Sequence, residues 1–558
     1  MVPSLLALCA RRVVSDHSSS PSWLRCVPRE LYRELLEAAF THCRPLAVGE
    51  LVQRWPERAL RLGGRRRAGQ NPPHRLCVQA LLLAVVRGLA DKRCILQVVD
   101  LCGLQCEEGG VADSMGGWSL TVALCSIVLQ ARAEAPKGTK RDKERKRLSA
   151  AERERDRVAK RERGTEQKAC AITENNREAR QVAEGPEMEE ERAKGVRKKM
   201  EAARDKAKDV GGTEGKLTPP ELGGVPERVR IWADLFVTAR SWERVRTALS
   251  ADGPLRLHCQ HLRVEELPAS KIVALLGLLP RNGLLGLDIR YSSLGVSGLA
   301  LLLPALAPFP SLRSLRLHYC NLDSRREVPG QEGALRDMAL GLKALANLRQ
   351  LSLTALRLPG HLRMLLSALS QPLEVLELPY LSLTPGDLSY LSCSPHASSL
   401  RRLDLSENRL EEVTLPSLQR LLSHASSSLT HLSLCGCNLS DGLLGILLPS
   451  LCDCRVLRVL RLALNPLSRD GILSLVRAVS RIPSLQMLLY PSPLEDYQPG
   501  LPQSPSSAQL LDWPLAEELE GRDTIQVELN TELTVNGRSD LLLTSDLLNY
   551  NSLLDEED

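Results

Sequence analysis

The sequence predicts an α/β solenoid in which each coil, of about 28 residues, supplies one short strand and one helix. Three observations lead to this fold class. Aromatic residues make up only 3% of the 558 residues, the template L-x-x-L-x-L recurs in nine copies, and these copies follow a period near 28 residues. A core that repeats one branched side chain at the same interior position is typical of solenoids. We therefore predict a leucine-rich-repeat horseshoe.

The strands come from the leucine template itself. The central leucines lie at positions 255, 287, 315, 351, 376, 403, 432, 460 and 488. Alternate residues of a strand point to opposite sides, so L-x-L sends two leucines into one core. Three residues after the last strand leucine the chain turns, where asparagine or cysteine is expected. In four copies the turn residues are Cys320, Asn408, Cys437 and Asn465.

The stretch after each turn predicts a helix, because its leucines recur at positions i, i+3 and i+4. A coil of this length has room for such a helix on the convex side. The widest gap, between the central leucines at 315 and 351, marks an insertion at residues 323–332, whose charges, proline and glycine predict a projecting loop. Both a binding loop and a tolerated surface excursion are consistent with that composition.

Composition divides the chain into four regions. Residues 1–132 predict a helical N-terminal region, and residues 218–497 predict the solenoid. Residues 133–217 are charged and of low complexity, which predicts a disordered linker. Residues 498–558 begin with a Pro/Ser-rich hinge and continue into a C-terminal cap around residues 523–550.

Positive charge is concentrated in one segment. Between residues 137 and 210 there are 24 Lys and Arg against 17 Asp and Glu, out of 73 and 67 in the chain. The stretch between residues 140 and 199 suits a solvated linker or a nuclear-import signal, and it has no aromatic residue to stack on bases. We therefore expect no nucleic-acid interface and no membrane span. We expect a cytoplasmic protein, with nuclear access through this segment.

Catalytic and metal-binding motifs are missing from the sequence. None of the phosphate-loop, zinc-protease or nucleophile-elbow spacings occurs. The 16 cysteines are scattered, which indicates reduced thiols rather than a disulfide framework. We expect no catalytic residue, no cofactor and no metal site, and hence a protein that works by binding other proteins.

The concave side of the predicted horseshoe is the expected binding surface, since a curved array of short strands offers a broad, rigid face. Residues between the strand leucines point toward that side. The candidates chosen by this geometry are Arg316, Glu377, Asp404, Ser433 and Arg461.

Two short interaction motifs stand near the N-terminus. The first resembles the box that binds elongin C, and its residues are Leu5, Cys9 and Val13. Their spacing of four places them on one face of a helix, which suits the helix-in-groove mode of binding. The second resembles the element that selects cullin 2, and its residues are Val27, Pro28 and Leu31. An amphipathic helix packed on the end of the solenoid is the alternative interpretation of the first motif.

Several longer stretches resemble the PRAME-type leucine-rich-repeat family. They are residues 27–40 (VPRELYRELLEAAF), 51–56 (LVQRWP), 96–104 (LQVVDLCGL), 254–268 (PLRLHCQHLRVEELP) and 489–497 (LYPSPLEDY). Residues 133–217 have no counterpart in the family pattern. The resemblance implies a cytoplasmic, non-enzymatic adaptor that damps Toll-like-receptor signalling to NF-κB by binding IκB kinase beta. It also implies the alternative of a substrate receptor for a cullin-2 ubiquitin ligase containing elongin B/C.

Overall fold

The computed structural model describes residues 4–15, 26–62, 74–89, 94–104, 119–134, 229–325, 331–516 and 522–547. All of these residues belong to one compact unit. Within them, thirteen strands form one parallel sheet in which every strand pairs with its neighbours in chain order. Strictly sequential parallel pairing with a helix in most connections is the topology of a solenoid, so the predicted fold class is confirmed.

The strands are β1 (Ala59–Arg61), β2 (Val98–Asp100), β3 (Val229–Thr238), β4 (Leu255–Glu265), β5 (Gly286–Arg290), β6 (Ser314–His318), β7 (Gln350–Thr354), β8 (Val375–Glu377), β9 (Arg402–Asp404), β10 (His431–Ser433), β11 (Val459–Arg461), β12 (Met487–Leu489) and β13 (Leu542–Thr544). Among the described residues, the helices are α1 (Leu5–Val14), α2 (Tyr32–Thr41), α3 (Pro45–Gln53), α4 (Arg75–Gly88), α5 (Leu120–Glu134), α6 (Trp242–Leu249), α7 (Ala269–Leu276), α8 (Gly295–Leu302), α9 (Gln331–Lys343), α10 (Leu362–Leu366), α11 (Pro385–Cys393), α12 (Leu415–Ala425), α13 (Asp441–Cys452), α14 (Arg469–Val479), α15 (Ser507–Asp512) and α16 (Arg522–Val535).

The nine template copies form strands β4 to β12, as the leucine spacing predicts. The first copy differs in detail, because β4 is long and its Leu262, not Leu255, pairs with Leu287 of the next strand. Leu255 pairs instead with Val229 of β3. The spacing between Leu255 and Leu287 is long because Leu255 lies at the start of the long strand β4. The leucine of β4 that is equivalent to Leu287 is Leu262, so the coil runs from Leu262 to Leu287.

The core lies between the sheet and the helices. The central leucines from Leu262 to Leu488 lie in register across nine consecutive strands, and each is at most 1% exposed. Burying one leucine side chain stabilises a fold by roughly 1.5–3 kcal/mol. Repeating the same buried leucine in every coil fixes the strand register, since a slip by one residue would turn the whole set to the other face.

Turn residues join each coil to the one before it. The buried Asn408 donates its amide protons to the carbonyl oxygens of Leu378 (2.8 Å), Leu405 (2.9 Å) and Ser406 (3.2 Å). Its side-chain oxygen accepts the backbone N–H of Leu383 at 3.2 Å. These contacts satisfy buried backbone groups that strand pairing leaves open.

The other predicted turn residues act in the same way. Asn465 donates to the carbonyl oxygens of Leu434 (2.8 Å) and Leu462 (2.7 Å), and it accepts the N–H of Leu439 at 3.0 Å. The thiol of Cys437 donates a hydrogen bond to the carbonyl oxygen of Leu405 at 3.3 Å. Cys320 is likewise fully buried. The asparagine and cysteine positions predicted from the sequence are therefore structural.

The sheet extends beyond the nine predicted coils at both ends. β1, β2 and β3 precede them, so the helical N-terminal region contributes strands to the same sheet. Asp234 of β3 ties these coils together, because its carboxylate accepts hydrogen bonds from the backbone N–H of Gly103 (2.6 Å) and from the ring Nδ1–H of His261 (3.0 Å). Burial alone would raise the pKa of Asp234, but hydrogen bonds from His261 and backbone N–H groups outweigh it and lower that pKa.

The C-terminal end is closed by one more strand and helix. Helix α16 packs against α14, and β13 pairs with β12. The Arg538 guanidinium donates to the carbonyl oxygens of Ser480 (3.2 Å), Ile482 and Leu485 near the end of α14. Because the last carbonyls of a helix lack partners within it, this arginine closes the solenoid at the end of its last full coil.

The predicted linker joins two neighbouring points of the fold. Residues 133 and 134 are the last of α5, and residues 135–228 lie outside the described residues. Arg132 of α5 lies beside Gly253, and the N–H of Val229 donates to the carbonyl oxygen of Pro254 at 2.9 Å. The two ends of the segment thus lie against two adjacent residues, Gly253 and Pro254, just before β4.

Part of the predicted insertion is described as well. Asp323 forms a bridge to Arg357 in the next coil and an ion pair with Arg325 at 2.9 Å. Residues 326–330 lie outside the described part, and residues 331 and 332 already belong to α9. In the described part of the chain, no helix is long and apolar enough to cross a membrane.

Candidate functional site

The five residues predicted for the concave face lie in one row across the sheet. Glu377, Asp404, Ser433 and Arg461 are direct partners on four consecutive strands, and Arg316 is in the same row, separated from Glu377 by Ser352. We call this set (Arg316, Glu377, Asp404, Ser433, Arg461) the central row. Alternation along each strand turns it away from the leucine core. Four members are half-buried, whereas Ser433 is buried and bonds Ser406 through its hydroxyl at 2.8 Å.

Charges on the first half of this face are paired along their own strands. Arg263 contacts Glu265 at 2.6 Å on β4, and Arg290 contacts Asp288 at 2.8 Å on β5. Burial lowers the pKa of His318 on β6, whose ring nitrogen lies 4.0 Å from Asp288. A surface of fixed, mixed charges selects partners by complementarity more than it adds affinity.

A second row, which the sequence analysis missed, follows the strands at the edge where they end. Tyr291, Tyr319 and Tyr380 each lie four residues after a central leucine, and we call them the tyrosine row. All three have a left-handed backbone, with φ between 50° and 59°. They are 57%, 46% and 48% exposed, and the rings of Tyr291 and Tyr319 stack with centroids 5.4 Å apart.

The left-handed conformation recurs at this position in other coils. Its members there are Glu266, Ala355, Glu407, Gly436 and Leu464. Left-handed backbone is uncommon outside glycine and asparagine, so its repetition marks a turn that the coil geometry imposes. The spacing of four after each leucine was visible in the sequence, but the sign of φ and the exposure of the rings were not.

A loop from the C-terminal region covers part of the same edge. Residues 497–516 leave the last coils and return through a bridge between Tyr497 and Leu515. At the far end of this loop, the Ser507 hydroxyl donates to Glu407 at 2.6 Å, three coils earlier. Glu407 also bonds Tyr380, and burial raises the pKa of Glu407. The predicted Pro/Ser-rich hinge is thus part of a loop whose far end contacts Glu407, and Glu407 in turn contacts Tyr380 of the tyrosine row.

The two N-terminal motifs lie on neighbouring elements, since α1 packs against α2. Ala10 and Val14 bury one side of α1. Leu5 is 78% exposed, Cys9 is exposed and Val13 is half-buried. In the second motif, Pro28 is exposed directly before the turn of 3-10 helix Arg29–Leu31. Val27 and Leu31 are half-buried against the core.

Among the described residues there is no group of three or more His, Cys, Asp or Glu side chains that could hold a metal ion. Cys437, which follows Cys435 by two residues, is fully buried at a repeat turn. Cys454 is also fully buried, and its thiol points toward the carbonyl oxygens of Leu422 and Ser450. Burial raises the pKa of the Cys454 thiol to about 12, which makes it a poor nucleophile at neutral pH.

Comparison with known proteins gives a consistent result. Two family models match, the PRAME N-terminal domain over residues 2–107 and the PRAME C-terminal domain over residues 245–504. The chain is 34% identical to Leucine-rich repeat-containing protein 14 of Xenopus laevis, over 98% of this chain and 97% of that protein. It is 40% identical to the Homo sapiens protein of the same name, over 60% of this chain and 67% of that protein. PRAME family member 20 of Homo sapiens is 33% identical over 35% of this chain and 42% of its own length.

Proposed function

Since this chain belongs to the PRAME family of leucine-rich-repeat proteins, we propose that it is a non-enzymatic scaffold that binds a partner protein on its concave face. The observation that carries the proposal is the tyrosine row beside the central row. Tyrosine and arginine are enriched among the residues that dominate binding energy at protein interfaces. Here the exposed tyrosines at the ends of the strands stand beside the charged residues of the central row on the concave face.

The partner that the family resemblance proposes is IκB kinase beta, and the proposed outcome is reduced NF-κB signalling from Toll-like receptors. A scaffold that holds a kinase subunit needs only the solenoid. The proposed location is the cytoplasm, with nuclear access through residues 140–199. Imaging of a fluorescent fusion, with and without those residues, tests the location.

The test of the concave face replaces Tyr291 and Tyr319 together by asparagine, which tolerates a left-handed backbone. Capture of IκB kinase beta should fall at least tenfold, because two aromatic anchors are removed. The matched control is Leu340→Asn, since Leu340 is 62% exposed on helix α9. Equal capture by the double variant and the wild type would refute the proposed face. If the wild type captures no IκB kinase beta and leaves an NF-κB reporter unchanged, the proposed partner is wrong.

A second candidate function is a substrate receptor of a cullin-2 ubiquitin ligase. The observation that favours it is the exposure of Leu5 and Cys9 on the outer side of α1, while Ala10 and Val14 anchor the inner side. A leucine that is 78% exposed at the start of a short helix is free to enter an apolar groove of a partner.

The decisive variant is Leu5→Ser, compared with Leu46→Ser as its control. Leu46 lies on the nearby helix α3 and is 74% exposed, so both changes remove a similar exposed side chain. Purified elongin B/C should bind the wild type and the Leu46 variant, and binding to the Leu5 variant should be lost. Failure of the wild type to bind elongin B/C excludes the receptor function. A Pro28→Ala variant that still recruits cullin 2 would exclude a role for the second motif.

A further inference from the structure

A second apolar cluster lies apart from the main core, at the C-terminal end of the sheet. Its buried members are Val459, Ala463, Met487 and Leu489. We call these four residues the C-terminal apolar patch. Leu460 and Leu488, which alternate with them on the same strands, belong to the main core. Because neighbouring strand residues point to opposite sides, the patch lies on the concave face.

These residues are more deeply buried than their counterparts in earlier coils. Val459 and Met487 are 2% and 8% exposed, whereas His431 and Arg402, their register partners on β10 and β9, are only half-buried. Leu489 is 1% exposed. A concave face is open to solvent unless something covers it, so these apolar side chains lie under a cover.

Among the described residues, three partly buried apolar residues pack against the patch: Cys435, Leu464 and Leu547. The chain leaves β13 at Thr544, and Leu547 then packs against the patch. From Val459 to Ala463 the patch extends about 13 Å along the strand, at roughly 3.3 Å per residue. It also spans two strands about 4.8 Å apart. Of these three residues, Cys435 and Leu464 lie in the turns that follow β10 and β11, and Leu547 reaches the patch from beyond β13. One leucine side chain is too small to cover this area.

We propose that the C-terminal segment, residues 548–558, docks on the concave face over the C-terminal apolar patch. The segment follows Leu547 directly, and its sequence LNYNSLLDEED has apolar residues at Leu548, Tyr550, Leu553 and Leu554 before an acidic end. Eleven extended residues reach about 36 Å, which exceeds the roughly 14 Å from β9 to β12 at about 4.8 Å between neighbouring strands. The acidic end complements Arg461, which is in the patch strand β11, and Arg402 on β9.

The docked segment occupies the end of the proposed partner surface. Arg461 is in the central row, and Ser433 is its register partner on β10. A partner that needs these positions must displace the segment first, which lowers its apparent affinity. This regulatory consequence rests on the proposed function, but the docking itself does not.

Native cysteines provide a test that requires no partner. Cys435 packs against the patch, and burial raises the pKa of its thiol to about 11. Cys393 is exposed at the end of helix α11 and provides the matched control. Alkylation of each cysteine is followed by peptide mass spectrometry in the full chain and in a variant that ends at Leu547. Loss of the segment should speed alkylation of Cys435 at least fivefold and leave Cys393 unchanged.

A second variant separates undocking from unfolding. The change Leu553→Ser with Leu554→Ser keeps the chain length and should produce the same increase at Cys435. If the fully buried Cys437 also becomes reactive in the shortened chain, that variant has unfolded and the serine variant decides. A peptide of residues 546–558 should restore protection of Cys435 in the shortened chain, and a peptide with both leucines replaced by serine should not. An unchanged Cys435 rate in the serine variant overturns the docking.

The partner experiment then distinguishes the two proposals. If the segment docks but neither chain captures IκB kinase beta, the proposed partner is wrong and the docking stands. If capture occurs and is equal with and without the segment, the segment does not compete with the partner. Stronger capture by the chain ending at Leu547 is the result that the regulatory inference predicts.

Discussion

Replacing Asn408 by alanine should destabilise the solenoid more than any comparable change of an exposed asparagine. The amide of Asn408 serves two neighbouring coils, since it bonds Leu378 and Leu383 of one coil and Leu405 of its own. Alanine leaves the carbonyl oxygen of Leu378 and the N–H of Leu383 without the partner that Asn408 supplies, whereas the carbonyl oxygen of Leu405 keeps the backbone N–H of residue 408 as a donor at 3.3 Å. A buried polar group left unpaired costs about 1–3 kcal/mol. For two such groups we therefore expect a loss of about 2–6 kcal/mol in the free energy of unfolding.

Cysteine at the same position should recover part of the loss. Cys437 occupies the equivalent turn and uses its thiol toward the carbonyl oxygen of Leu405 at 3.3 Å. The variant Asn408→Cys therefore regains a weak donor but not an acceptor for the N–H of Leu383. We expect it to be more stable than Asn408→Ala by about 1 kcal/mol, the usual worth of one hydrogen bond.

Urea unfolding followed by circular dichroism measures these differences. The matched control is Asn347→Ala, because Asn347 donates a single exposed hydrogen bond to the carbonyl oxygen of Pro310 at 2.7 Å. That control should lose less than about 1 kcal/mol. If Asn408→Ala and Asn347→Ala unfold at the same urea concentration, the turn amide does not join the coils, and the reasoning is refuted.

Two further predictions concern packing and pH. A β-carbon at Gly341 would meet the backbone of Leu303 at 2.7 Å, so Gly341→Ala should destabilise by about 1–3 kcal/mol in urea unfolding. A β-carbon at Gly333 on the same helix would meet nothing within 4 Å, so Gly333→Ala should raise the free energy of unfolding by about 0.5–1 kcal/mol. Equal effects of the two substitutions would contradict the close packing at Gly341. The pKa of Asp234 is lower in the folded chain than the ordinary aspartate value of about 3.9. The ionised Asp234 therefore stabilises the fold at pH values above about 3.9, and this stabilisation is lost as the pH falls through the lower pKa of the folded state. Asp234→Asn should therefore be less stable at pH 7 and lose less on acidification; identical pH profiles of the two proteins would contradict this role.

The repeated part of the fold could be predicted from the sequence, because the spacing of the leucines there indicates both the strand register and the buried positions. The leucine spacing locates β4 to β12, and the asparagine and cysteine turns follow from it. β1, β2, β3 and β13 were not predicted, since none of them carries the full leucine template. These strands form because an open edge of the neighbouring strand is there to pair with, which is a property of the assembled sheet.

The candidate site was predictable only in part. The central row follows from strand alternation alone, and the structure aligns its five members as that alternation requires. The tyrosine row depends on a left-handed backbone that local propensity disfavours and coil stacking imposes. The contact between Ser507 and Glu407 joins residues one hundred positions apart, so no local sequence signal reports it.

The position of residues 135–228 has a consequence for how this chain can vary. Both ends of that segment lie against Gly253 and Pro254, so closing it requires no movement of the solenoid. The entropy of closing a loop grows only with the logarithm of its length, and each doubling costs about 0.6 kcal/mol. The solenoid is therefore almost indifferent to how much chain is inserted there. Lengthening, shortening or exchange for a separate folded domain should leave the thirteen strands intact, which makes this junction the natural place for variation between relatives and for an engineered tag.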